Sequence, residues 1–199
     1  MQTTSIGAPT EGNEAAQLTR VFVGIKVAPD IAEELAKLVQ PLEGLPVRLI
    51  PAADLHLTLV PPWNEAAISA AIEKLHEAIC GLRGFTLTFE RIAYGPTRRR
   101  PRLLWAECAP AEDALEMQAL LLATFGQSQE RPFRPHVTLA RLQRARLQRI
   151  GRAIAGKHPF DQTLSLTQRV KTIELFKSPR KGERGYVVLD SVPLEWVLP

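Results

Sequence analysis

Cysteine is scarce: Cys80 and Cys108 are the only two in 199 residues. Neither belongs to a Cys-x-x-Cys pair or to a Cys/His ligand spacing, which excludes a disulfide-dense scaffold and argues against structural zinc. Both thiols are expected to be free in a reducing compartment. No apolar run approaches the roughly 20 residues that a membrane-spanning helix needs. The opening residues 1–17 are polar and rich in small side chains, without the basic start and apolar centre of a secretory signal. The expected location is the cytoplasm, with residues 1–18 a disordered tail. Low-complexity tracts and a clean interdomain linker are also missing, so residues 19–199 are read as one domain.

Net charge is small, 25 Lys+Arg against 21 Asp+Glu, but acid is locally absent. Residues 131–152 hold seven arginines and no carboxylate, and a second cluster, Arg98-Arg99-Arg100-Pro101-Arg102, sits in a Gly/Pro-bounded loop. Such clusters suit an anionic partner, a nucleic acid or a phosphorylated small molecule, or form a solvated basic face.

The 45% of hydrophobic residues is patterned throughout. Residues 20–27 read as a first strand, and Pro29 opens a helix whose Ile31, Leu35, Leu38 and Val39 recur at helical spacing until Pro41 and Gly44 close it. A short strand over 47–50 and a turn over 51–54 lead to an apolar strand that Pro61-Pro62 is expected to end. Asn64 is placed to cap a second helix with an apolar stripe of Ile68, Ala71, Ile72, Leu75 and Ile79, and Gly81 supplies its stop. Residues 85–92 alternate with period two and are expected to pair with a strand over 102–107. A helix over 111–125, apolar almost all round in its second half, is expected to be well buried. A Pro-containing loop over 126–135 and another apolar strand follow. A basic helix with Leu147, Ile150 and Ile154 inward comes next, then strands over 164–166, 170–176 and 186–189, and an edge strand over 194–198. The hairpin-length connections favour α+β with mainly antiparallel sheet.

Two of these strands carry the same short pattern, Leu55-His56-Leu57-Thr58-Leu59 and Pro135-His136-Val137-Thr138-Leu139. A His and a Thr two residues apart leave one face of a strand, while Leu57, Leu59, Val137 and Leu139 enter the core. One such pair is commonly a half-buried, hydrogen-bonded His. Two pairs match what a phosphodiester displacement needs: one imidazole to take a proton from the incoming oxygen and one to give a proton to the leaving oxygen. Thr58 and Thr138 can donate to the non-bridging phosphate oxygens, and a nearby arginine would add a bidentate contact. His76 on a helix flank and His158 in a loop read as structural or surface residues. The spacing contains no His-x-His or His-Glu-x-x-His, so no metal site is expected.

The doubled His-x-Thr-Leu resembles the 2H phosphoesterase superfamily, and within it the RNA 2′,3′-cyclic phosphodiesterases also called 2′-5′ RNA ligases. The likeness extends over nearly all of the chain after residue 19, through Arg20-Val21-Phe22-Val23-Gly24-Ile25, Asp54-Leu55-His56, Pro101-Arg102-Leu103-Leu104-Trp105, residues 131–141, Leu175-Phe176-Lys177-Ser178 and Gly185-Tyr186. The resemblance implies two similar α+β lobes of mainly antiparallel sheet with helices outside, related by a pseudo-twofold around a central cleft. It implies opening of a 2′,3′-cyclic phosphate to a 2′-phosphate without a cofactor, with an RNA end or small cyclic nucleotide as partner and a monomeric protein. His56 would be the proton donor, His136 the proton acceptor, and Thr58, Thr138 and Arg141 the phosphate ligands. Strand parity sets Arg141 opposite His136 unless the chain turns or bulges after Leu139. Where family members commonly continue the first motif with a Lys and an aromatic residue, this chain has Val60-Pro61-Pro62-Trp63. Trp63, Phe133 and Tyr94 are candidates for stacking on a base or for plain packing. RNA ligation, and a nucleotide- or RNA-binding module without turnover, are the alternative functions.

Overall fold

A computed structural model describes residues 18–45, 47–97, 101–109, 112–142, 162–180 and 182–196. Residues 1–17 of the proposed tail, the Arg98–Arg100 cluster, the basic helix after Leu142 and His158 lie outside the described residues.

The chain forms β1 (Thr19–Lys26), α1 (Pro29–Val39), β2 (Val47–Leu49), β3 (His56–Glu65), α2 (Ile68–Ile79), β4 (Phe85–Gly95), β5 (Leu103–Cys108), α3 (Glu112–Thr124), β6 (His136–Leu142), β7 (Gln162–Val170), β8 (Thr172–Lys177) and β9 (Val187–Pro193). The nine strands form one mainly antiparallel sheet in the order β7-β4-β5-β6-β3-β1-β8-β9, with β2 paired to β6 outside this path. The α+β class is as the sequence indicated. The halves of the sheet repeat a strand–helix–strand unit, β1–α1–β3 and β5–α3–β6, and each unit ends in a His-x-Thr strand. These two strands meet at the centre, where Leu57 pairs with Val137. That is their whole ladder, so β3 and β6 splay on either side of it and the seam opens into a cleft.

Alternation divides the sheet into two faces. Val21, Val23, Ile25, Leu57, Leu59, Val137 and Leu139 are buried in one continuous apolar cluster with Leu35 of α1, Leu75 of α2 and Leu121 of α3. Two helices cross the seam, α1 packing against β6 and β7 and α3 against β3, while α2 stays on its own side against β9. The opposite face is the floor of the cleft. The polar Gln168 side chain ties β7 to the β1–α1 junction, accepting from the Ala28 backbone N–H at 2.9 Å and donating to the Lys26 carbonyl at 2.8 Å.

Several expectations are corrected. Pro61-Pro62 do not end β3, which runs to Glu65. The β1–β3 register slips between Val21↔Trp63 and Val23↔Val60, so the two prolines fall in an irregularity, the kind of place where a strand accommodates residues without an N–H. Asn64 therefore lies in a strand, and α2 starts behind Ala67 with no side-chain bond from its N-cap. Glu65 takes over the role, accepting from the backbone N–H groups of Ala66 and Ala67 at 2.9 Å. Together with the Trp63 indole N–H this holds its carboxyl below the usual range. Glu65→Ala should cost about 1 kcal/mol of unfolding free energy in urea titration, the usual scale of a lost cap. Helix α3 buries Ala114, Met117, Gln118 and Leu121 but leaves Leu115 and Leu120 exposed, because only one side of it faces the sheet. Val170 ends β7, and Lys171 alone joins it to β8. The final segment is not a regular strand over its described part: Glu195 forms an isolated bridge with Arg83.

Candidate active site

Both motif strands have a local break, and at the same place, just after the His-x-Thr pair. Against β1, Gly24 pairs with Thr58 and Val23 with Val60, so Leu59 is an extra residue. Against β5, Trp105 pairs with Thr138 and Leu104 with Ala140, so Leu139 is the extra residue. Each is a β-bulge, which reverses the side-chain parity that follows. On β6 this turns Arg141 back to the face of His136 and Thr138. The bulge that Arg141 required is present.

His56, Thr58, His136, Thr138 and Arg141 accordingly line one cavity over the seam, with Ile50 and Tyr186. Extending the Leu57↔Val137 register by one residue sets His56 across from Thr138 and Thr58 across from His136. Each imidazole is fixed in the same way. Nδ1 of His56 donates to the Asp54 carbonyl at 2.7 Å, and Nδ1 of His136 donates to the Arg134 carbonyl at 2.7 Å. A carbonyl only accepts, so Nδ1 carries the hydrogen in both rings and Nε2 is the atom that exchanges protons.

The surroundings of the two rings differ. His56 lies among Phe22, Phe176 and Tyr186, with ring centroids 4.8, 5.5 and 4.7 Å away. Gly24 makes this cluster possible: a Cβ there would meet the Leu57 carbonyl oxygen at 2.5 Å and the Phe176 ring at 3.5 Å. The Asp54 carboxylate accepts from the Tyr186 backbone N–H at 3.1 Å, tying the last loop to the first motif. His136 rests on Trp105, centroids 4.1 Å apart. The Trp105 indole donates to Glu107 at 3.1 Å, and Glu107 also pairs with Arg91 at 2.5 Å. In the β5–β6 ladder Glu107 stands opposite His136. Burial lowers both histidines from 6.5. For His56 the Asp54 carbonyl and charge oppose this while Arg141 and His136 add to it; for His136 the Arg134 carbonyl and Glu107 oppose it.

The three stacking candidates do not line the cavity. Trp63 packs against Phe125 at 4.9 Å and donates to Glu65 at 3.0 Å, while Phe133 and Tyr94 pack against the apolar cluster. His76 pins α2 to β9, donating from Nε2 to Asp190 at 2.7 Å. Both cysteines are free, and burial pushes the Cys108 thiol up to about 12, so it stays protonated at neutral pH. Tyr186, Ile50, Trp105 and Glu107 are site or supporting residues that the motif spacing did not single out. Period-two alternation does place Trp105 and Glu107 together on one face of β5.

A mainly antiparallel sheet with paired His-x-Thr strands over one cleft defines an α+β protein of the 2H phosphoesterase type. The sequence profile of the 2′-5′ RNA ligase superfamily matches residues 27–182, and the chain belongs to that superfamily. Among solved structures, TT0787 of Thermus thermophilus is similar with a TM-score of 0.68 and 21% identity, over 88% of this chain and 97% of that one. LigT of E. coli complexed with 3′-AMP is similar with a TM-score of 0.65 and 21% identity, over 90% of this chain and 100% of that one. LigT has also been crystallised with NADP+, ATP and phosphate. No curated protein matches.

Among the described residues, no helix is long and apolar enough to cross a membrane, and no group of three or more His, Cys, Asp or Glu is arranged to hold a metal ion.

Proposed function

We propose that the protein is a phosphoesterase that opens an RNA-terminal or nucleotide 2′,3′-cyclic phosphate to a 2′-phosphate. The observation that carries this reading is the convergence of two imidazoles, each tied at Nδ1 to a backbone carbonyl, on one cavity with Thr58, Thr138 and Arg141. The phosphate and nucleotide complexes of LigT, which shares this fold, support a phosphate-bearing nucleotide as ligand.

The reaction balances with these groups. Nε2 of His136 removes a proton from water as its oxygen attacks phosphorus. The P–O3′ bond breaks on the opposite side, and Nε2 of His56, protonated, gives its proton to the leaving 3′ oxygen. Thr58, Thr138 and Arg141 hold the non-bridging oxygens, whose charge persists through the transition state. The products are a 3′-hydroxyl and a 2′-phosphomonoester, and the enzyme is left with the two histidines' protonation states exchanged. Water resets them.

Turnover of a short RNA ending in a 2′,3′-cyclic phosphate, assayed in excess chelator with the product read by phosphorus NMR, is the direct test. A 2′-phosphate is expected, and a 3′-phosphate or no turnover by the folded protein contradicts the proposal.

The pH dependence follows from the burial of the two rings. In the free enzyme His136 must be neutral and His56 protonated, so the acid limb of kcat/KM reports the first and the basic limb the second. Both are lowered from 6.5, which places the maximum of kcat/KM on the acid side of that value. A bound phosphodiester anion favours the protonated form of both rings. The kcat profile is therefore expected at higher pH than that of kcat/KM. Coincident profiles centred above pH 7.5 would contradict this assignment.

A further inference from the structure

Beyond the cavity, the sheet register places a second cation beside Arg141. Among the described residues strand β2 pairs only with β6, and in that ladder Arg48 is directly opposite Arg141. Residues directly opposite in an antiparallel pair share a face. That face is the cleft floor: Arg141 lines the cavity, as does Ile50, two residues beyond Arg48. Leu103, on the other flank of Arg141, belongs to the same face of β5 as Trp105. Arg48 therefore stands at the rim, one strand outward from Arg141, and it is exposed.

Like charges directly opposite one another weaken a strand pair. Among the described residues neither arginine is in an ion pair, although Arg91 on the same sheet finds a carboxylate. Two arginines directly opposite each other in the ladder, both exposed and one of them lining the cavity, are the arrangement that an anion bridging or flanking them would relieve.

We propose that Arg48 forms a second phosphate subsite, which takes the phosphodiester linking the terminal nucleotide to the one before it. This rests on the phosphoesterase reading above and narrows it: the preferred substrate is an oligonucleotide end, not a free cyclic mononucleotide. Arg141 serves the reacting phosphate inside the cavity, and Arg48, outside the lining, serves the next phosphate along the chain.

The test compares adenosine 2′,3′-cyclic phosphate with a trinucleotide carrying the same terminus, for the wild type, Arg48→Gln and Arg141→Gln. Wild type is expected to prefer the trinucleotide in kcat/KM. Arg48→Gln should reduce that preference about tenfold, through KM, as fits one lost charge-assisted contact of about 1.5 kcal/mol. Arg141→Gln should lower the rates on both substrates to a similar extent. Equal losses on the two substrates with Arg48→Gln would put Arg48 on the reacting phosphate and overturn the proposal, as would no loss on either.

Binding gives a readout that does not need turnover. The trinucleotide ending in a 2′-phosphate should bind the wild type with a steeper salt dependence than adenosine 2′-phosphate. Arg48→Gln should lower the slope of log K against log salt for the trinucleotide by about 0.7, the value for one single-stranded phosphate contact. If neither cyclic substrate turns over but this slope change appears, the subsite stands and the reaction assignment fails. An unchanged slope removes the subsite whatever the catalytic result. An unchanged unfolding midpoint of Arg48→Gln shows that the fold is not the cause.

Discussion

Replacement of His56 or His136 by alanine is expected to lower kcat by about 10²–10⁴-fold, the range of a positioned general acid or base. Each ring is held by a bond from Nδ1 to a carbonyl two residues earlier in its own chain. Removing it breaks no long-range polar contact, and the fold should survive. The double variant should be little worse than the poorer single one. Water activation and leaving-group protonation belong to one displacement, and groups that act as a unit do not lose activity additively. Initial rates on the cyclic trinucleotide, with circular dichroism as the fold control, decide the matter. A folded single variant with the wild-type rate would remove that histidine from the mechanism.

Trp105→Ala should be the most damaging change away from the two histidines. Trp105 is 4% exposed, and truncating a buried aromatic costs about 3–5 kcal/mol. At the usual scale for a chain of this size, that lowers the melting temperature by roughly 10 °C. Activity should fall further than stability predicts, because the ring lies under His136 at 4.1 Å and its indole helps hold Glu107. Trp105→Phe separates the two roles: it fills most of the volume but has no N–H for Glu107. A companion variant, Glu107→Gln, removes the negative charge that partly offsets the lowering of His136. The His136 pKa should then fall further, and the acid limb of kcat/KM should move to lower pH. A limb that stays in place or moves upward would show that Glu107 does not act on His136 as a charge.

The main elements and the doubled motif were legible because their signals are local. Pro29 and the 31/35/39 spacing mark α1, period-two alternation marks β4, and the repeated His-x-Thr marks the strands that meet at the seam. Tertiary pairing overrode the local signals elsewhere. Pro61-Pro62 reads as a stop, yet β1 supplies a partner strand across an irregularity that needs no N–H from either proline. The apolar second half of α3 reads as well buried, yet the sheet reaches only one side of the helix and Leu120 is exposed. The bulge at Leu139 was required by the parity of Arg141, whereas its twin at Leu59 carried no sequence mark. Tyr186 escaped notice as a cavity residue because it is brought there by the Asp54 carboxylate from 132 residues away. Trp63 reads as a possible base platform by its chemistry alone, but its indole is engaged by Glu65 and its ring by Phe125.

The crossing of the helices over the seam bears on how the molecule can come apart. Helix α1 follows β1 in the chain but packs against β6 and β7, and α3 follows β5 but packs against β3. Each half therefore depends on a helix supplied by the other, although α2 also covers its own half against β9. A fragment containing only one half would leave the other half's contribution to its apolar face missing, with Leu57 and Leu59 or Val137 and Leu139 open to water. Although the sequence is written as two similar halves, unfolding should therefore be a single cooperative transition, and the two His-x-Thr strands should be lost together.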